Sequence, residues 1–101
     1  MPEIKYLPSF QQDLNAITDY IMFTLEAPYA ALNFLDELEE SINNLKLYPL
    51  AHRLYSPIKP IQNEYRVLTV KNYLVFYIVI EETIEIHRII YKKRNLTQLI
   101  N

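Results

Sequence analysis

Lys92, Lys93 and Arg94 stand in a row where an apolar run ends, the densest cluster of cations in the sequence. Cations held on a rigid element are pre-positioned against phosphate or carboxylate, and the planar arginine fork can bind either bidentately. The same three on a fraying tail would be ordinary solvated charges, screened beyond roughly 8 Å at physiological salt. Further cations fall at Arg66, within an apolar run, and at Arg53 and Lys59, in a proline-rich stretch that also holds His52. A lone histidine in such a stretch is ordinarily just solvated. Arg66 reads either as a site cation or as a structural partner of Glu64 or Glu85. His87 and Arg88 are neighbours in a strand-like run, and strand alternation sends them to opposite faces. His87 is then a packed or surface histidine.

Composition removes several classes of chemistry. The chain has no cysteine, so thiolate nucleophiles, thiolate metal sites and disulfides are excluded. It has no glycine, which excludes glycine-rich phosphate loops. No metal site and no cofactor are expected. No stretch approaches the roughly 20 apolar residues of a membrane span. The first ten residues, MPEIKYLPSF, lack the apolar core of a signal peptide. A cytoplasmic protein without membrane contact is the expectation.

The formal charge of −2 conceals an asymmetry. Residues 1–52 carry two Lys/Arg against eight Asp/Glu, whereas residues 53–101 carry eight against four, giving an acidic front (−6) and a basic back (+4). Either these are two solvated faces, or the basic half meets a polyanion or an acidic partner.

The elements that must position these residues follow from periodicity. A chain of 101 residues is one domain, residues 1–101, able to bury roughly 60–65% of its unfolded surface. Residues 64–94 read as three consecutive strands, with Tyr73–Ile80 apolar enough to be covered on both faces. Lys71-Asn72 forms a two-residue turn in which Asn can take the positive φ, and Glu81–Thr83 closes a second hairpin. Pro2–Leu7 reads as a short strand that Pro8 prevents from being central. Ser9 followed by Gln12 has capping-box spacing, and Phe10, Leu14, Ile17 and Ile21 share one helical face as far as about Leu25. Pro28 starts a second helix with Ala31, Leu35, Leu38, Ile42 and Leu45 on its apolar stripe, ending near Leu47. The order is β-α-α-β-β-β: an α+β domain with a helical hairpin on one face of a mainly antiparallel sheet. The helices can cover only one face of Tyr73–Ile80. The other therefore requires the C-terminal tail, a dimer mate or a bound protein.

One order of motifs runs through nearly the whole chain. Asp13, Leu14, Ile17, Tyr20 and Ile21 lead to Ala31, Phe34 and Leu38, then to Ile42, Leu45 and Pro49. Tyr65, Arg66, Leu68 and Val70 precede the run Asn72–Tyr77, and Ile86, Arg88, Ile89, Ile90, Tyr91, Arg94 and Asn95 close the series. No single motif is sharp, but their order and spacing resemble the toxin of a bacterial type II toxin–antitoxin pair, in the RelE/ParE superfamily. The resemblance implies the same β-α-α-β-β-β fold.

It also implies two possible activities. RelE-like toxins are ribosome-dependent mRNA endoribonucleases, whose chemistry needs a general base, a general acid and cations against the developing phosphorane. On this pattern Arg66, Tyr91 and Arg94 are the candidate catalytic residues. Two parts of the set are missing: Leu74 stands where an arginine is usual, and Leu96–Asn101 holds no late tyrosine or histidine. Tyr91 could substitute by position, but a phenol near its ordinary pKa of about 10 is a poor base. ParE-like toxins share the scaffold without the catalytic set and inhibit DNA gyrase. The long hairpin and the closing motif around Arg88 and Tyr91 are nearer to that branch, which is the preferred reading. The target-binding candidates are Lys92, Lys93, Arg94, Arg53 and Lys59. A third reading is a degenerate, non-toxic module that only binds its antitoxin. The implied partners are a cognate antitoxin, expected on the uncovered sheet face and basic tail, and either gyrase or the ribosome with its mRNA. A homodimer or a toxin–antitoxin hetero-oligomer is also compatible.

Overall fold

The computed structural model describes residues 1–56 and 63–94. Its elements are β1 (Glu3–Tyr6), α1 (Pro8–Asp19), a π-helical turn (Tyr20–Thr24), α2 (Pro28–Asn44), β2 (Arg66–Val70), β3 (Tyr73–Ile80) and β4 (Thr83–Tyr91). The strands form one sheet in the order β1-β4-β3-β2, with β1 parallel to β4 and the other pairs antiparallel. The expected α+β architecture is the observed one. Apolar β3 lies inside the sheet, and β1, ended by Pro8, lies at its edge.

Both helices begin at prolines, whose missing N–H is one that no helix start could satisfy internally. At α1 this differs from the capping box expected at Ser9. Leu7 is the N-cap and makes no side-chain cap bond. The Ser9 hydroxyl instead donates to the His87 carbonyl at 2.7 Å. That carbonyl lies on β4 just past the four residues paired by β1, so α1 takes over an edge the short strand leaves open. A long-range acceptor has displaced the local one.

Two apolar layers result, one on each side of the sheet. On the helical side Phe10, Ala31, Phe34, Leu38 and Ile42 pack against Val75, Tyr77, Ile84 and Ile86. On the other side Tyr65, Val67, Leu74, Phe76, Ile78 and Ile90 form a second cluster, with Tyr55 against it. Tyr55 and Tyr65 stand edge-on to Phe76 at centroid distances of 5.2 and 6.0 Å. The connection before β2 thus supplies part of the cover for the second face, and Phe76 is 0% exposed. The connection joins the covers expected for this face, of which the C-terminal tail lies outside the described residues.

With no glycine in the chain, tight turns fall on ordinary residues. Among the described residues Glu26, Lys71 and Glu81 take left-handed φ values of 50°, 52° and 53°. In the first hairpin the strained position is therefore Lys71 and not Asn72. Left-handed backbone costs a residue with a Cβ about 1–2 kcal/mol, and glycine loses roughly 0.5–1 kcal/mol of entropy in exchange. Glu81→Gly should therefore raise stability by about 0.5–1 kcal/mol, seen as a higher urea midpoint with an unchanged slope. A lower midpoint would show that the Glu81 side chain is needed.

Candidate functional site

The cationic exit is anchored at its start. β4 ends at Tyr91, after which Lys92 N–H donates to Asn72 C=O and Arg94 N–H to Tyr91 C=O, both at 2.9 Å. These bonds tie Lys92 to the turn of the β2–β3 hairpin and close a local turn at Tyr91–Arg94, with Lys92, Lys93 and Arg94 exposed. Tyr91 lies opposite Tyr73 in the ladder, with rings 5.8 Å apart, and Tyr73 packs on Phe34 of α2 at 5.1 Å. Beside them runs a groove of about 690 Å³ between the end of α1 and the end of β4. Tyr20, Leu25, Asn72, Tyr73, Tyr91 and Arg94 line it, over a floor that includes Ile17 and Ile89. Burial raises the Tyr73 pKa, and neighbouring Tyr91 and Tyr20 add to the rise, so this phenol stays neutral and able to donate. The groove can accept an apolar group and offer phenol and guanidinium donors to an anion.

Arg66 belongs elsewhere. It pairs with Tyr77 on β3, whereas Tyr91 pairs with Tyr73. Four residues at ~3.3 Å each separate the two positions by about 13 Å along the strands, and two strand spacings add about 10 Å across. The Arg66 guanidinium meets no carboxylate of Glu64 or Glu85. Its Nη1 donates to the carbonyls of Leu50 at 3.2 Å and His52 at 2.8 Å. Next to it, the fully buried Tyr77 sends its hydroxyl to the Pro49 carbonyl at 3.0 Å. Arg66 and Tyr77 together pin the segment 49–52 to the sheet. Arg53 is exposed, and its carbonyl accepts from Val67 N–H at 3.0 Å. Lys59 lies outside the described residues. Leu74, in the place of the usual arginine, is 8% exposed within the second apolar layer.

A bulge in β4 rearranges its polar residues. Phe76 pairs with Arg88 and Tyr77 with Ile86, which leaves His87 as the extra residue. Simple alternation fails there. The His87 ring stands between the Tyr65 hydroxyl and the Glu85 carboxylate, at 3.0 Å from each. Arg88 turns to α1: Nε and Nη2 donate to the two Asp13 oxygens at 2.6 and 3.0 Å, and Ile89 N–H donates to the same carboxylate at 3.1 Å. The hydrogen bond to Asp13 is the main reason the Arg88 pKa is raised. Sequence reasoning gave neither set a role. Asp13 and Arg88 both stand in the quoted motifs, which was the available signal, but they are 75 residues apart. Among the described residues no cluster of His, Asp and Glu could hold a metal ion.

Of the sequence candidates, the structure brings Tyr91 and Arg94 to one groove and leaves Lys92 and Lys93 exposed beside it. It places Arg66 apart from them. A family model described as the ParE toxin of the type II toxin–antitoxin system parDE matches residues 4–96. Curated protein sequences give no significant match. Among solved structures, the chain resembles one described as "Chromosomal ParDE TA system from P. aeruginosa", with a TM-score of 0.70 and 24% identity. That likeness covers 88% of this chain and 94% of the other, and at this identity it speaks for the fold.

Proposed function

Because this chain belongs to the ParE toxin family of type II toxin–antitoxin systems, we propose that it arrests growth by inhibiting DNA gyrase and is neutralised by a cognate antitoxin. The separation of Arg66 from Tyr91 and Arg94 carries the choice of target. Ribonucleolytic attack by a 2′-OH needs base, acid and cation around one phosphate. Here one candidate is tied to loop carbonyls and the other two lie at the far end of the hairpin. Leu74 adds an apolar residue where that chemistry calls for another cation. A gyrase inhibitor needs only a rigid surface with the right charge. Lys92, Lys93 and Arg94, beside the tyrosine-lined groove, fit an acidic or DNA-bearing surface of the target.

Two assays on one preparation separate the readings. The purified chain should block supercoiling by gyrase, or trap cleaved DNA with it, and should leave mRNA on programmed ribosomes uncut. Codon-dependent cuts in A-site mRNA at near-stoichiometric toxin would establish the nuclease instead. Inactivity in both assays, with normal growth at confirmed expression of soluble protein, would identify a degenerate antitoxin-binding module.

A further inference from the structure

The helical hairpin ends in an apex with an unusual surface. Tyr20, Phe23, Leu25, Tyr29 and Leu32 are all more than half exposed, Tyr29 reaching 81% and Phe23 71%. None of them belongs to either apolar layer. In α2 the core takes Ala31, Phe34, Leu38 and Ile42, which leaves Tyr29 and Leu32 on the solvent side. In the π-turn only Ile21 is buried. A π-turn shifts the helical register, so the residues after Ile21 cannot continue the buried stripe of α1.

The exposed area is of interface size. Large side chains of this kind offer ~150–250 Å² each, so five of them at these exposures present roughly 500–800 Å². That equals or exceeds the largest patch on a typical monomer, about 300–600 Å². It approaches the ~800 Å² that one partner contributes to a standard protein interface.

Charge decides what could cover it. Asp19, Glu26 and Asp36 are exposed around the apex, and no Lys or Arg occurs anywhere between Lys5 and Lys46. An anionic membrane surface would be repelled. A second copy docked apex to apex would bring two acidic rims together. We propose that the hairpin apex is a docking surface for an amphipathic helix of another protein, with an aliphatic stripe flanked by Lys and Arg. It shares Tyr20 and Leu25 with the rim of the cationic groove but centres on Phe23, Tyr29 and Leu32, which that groove does not include. It calls for a partner of basic charge and does not depend on which target the toxin attacks.

The probe is a synthetic amphipathic helix of about five turns, with leucines at helical spacing and lysines flanking them. Its control carries glutamates in place of the lysines. Each is titrated into the isotope-labelled full chain and followed by amide chemical shifts. The lysine peptide should bind at least roughly tenfold more tightly than the glutamate peptide, should weaken with added salt, and should shift amides within residues 19–36. Phe23→Ser with Tyr29→Ser should abolish the preference. Both side chains are exposed, so the fold should survive. Asp19→Lys with Asp36→Lys leaves the apolar patch intact and should reverse the preference towards the glutamate peptide. Equal binding of the two peptides, shifts centred on Tyr91–Arg94, or a preference that survives the rim reversal would overturn the proposal. So would self-association of the chain through its apex in sedimentation.

Discussion

Alanine at both Lys93 and Arg94 should leave a folded chain that no longer arrests growth. The two side chains are exposed, and removing each should change stability by less than about 0.5 kcal/mol. Toxicity should collapse all the same, because the backbone carrying them is fixed. Lys92 N–H is bonded to Asn72 and Arg94 N–H to Tyr91, so these cations are held against the end of the hairpin. Cations pre-positioned this way meet a phosphate or carboxylate with less loss of conformational entropy than the same residues on a free tail. Arg94 should dominate, since it also lines the groove and can bind an anion through two parallel bonds. Arg94→Lys should restore only part of the effect, because an ammonium is a point charge. The measurement is colony survival after induction, read beside a thermal melt of each purified variant. If the double variant kills as efficiently as its parent, the toxic surface lies elsewhere. Arg66 with the 48–63 connection then becomes the next candidate.

The second large effect is on stability, and it arises at Asp13. Its carboxylate accepts from Arg88 through two donors and from Ile89 N–H, which ties α1 to β4 beyond the reach of β1. The side chains are 18% exposed for Asp13 and 25% for Arg88, so water screens the pair only in part. Breaking a fully buried ion pair by removing one partner costs about 3–5 kcal/mol. Partial exposure lowers that figure, and loss of the acceptor for Ile89 N–H adds about 1 kcal/mol. Asp13→Ala should therefore destabilise the chain by about 3 kcal/mol, which lowers Tm by roughly 10–20 °C in a domain of this size. Asp13→Asn keeps an acceptor but loses the charge, and should fall between. Arg88→Met combined with Asp13→Ala should cost less than the sum of the two single changes, because the interaction between the two side chains is lost in each single change but counted only once in the double. Strict additivity in that cycle would show that the pair contributes nothing as a pair.

The elements of this protein were legible because their signals are local. The apolar spacing from Phe10 to Ile21 and from Ala31 to Leu45, the prolines at 8 and 28, and the uncharged run Tyr73–Ile80 each imply one element within a few residues. Their order then implies the fold, which the structure bears out. The cationic exit was legible for the same reason, as three neighbours at the end of a strand.

What joins distant residues had no such signal. The aromatic cover of the second sheet face comes partly from Tyr55, in a proline-rich connection without a clear period, and from Tyr65, just before β2. Ser9 fits a local cap by spacing, yet its hydroxyl is taken by a carbonyl 78 residues away. The partners of Arg66 are backbone carbonyls, and any residue type can supply those. His87 and Arg88 look like a simple alternating pair until one extra residue in β4 turns His87 to Tyr65 and Arg88 to Asp13. The placing of Arg66 relative to Tyr91 is the most instructive case. In linear order both are polar residues on strands of one meander, and either fits a catalytic list. Register put Arg66 opposite Tyr77 and Tyr91 opposite Tyr73. Register is fixed by which apolar side chains of neighbouring strands pack together across the whole sheet. In the first hairpin the two-residue turn at Lys71-Asn72 already implies the pairing of Arg66 with Tyr77. The bulge at His87, set by packing of the assembled core, had no such local signal.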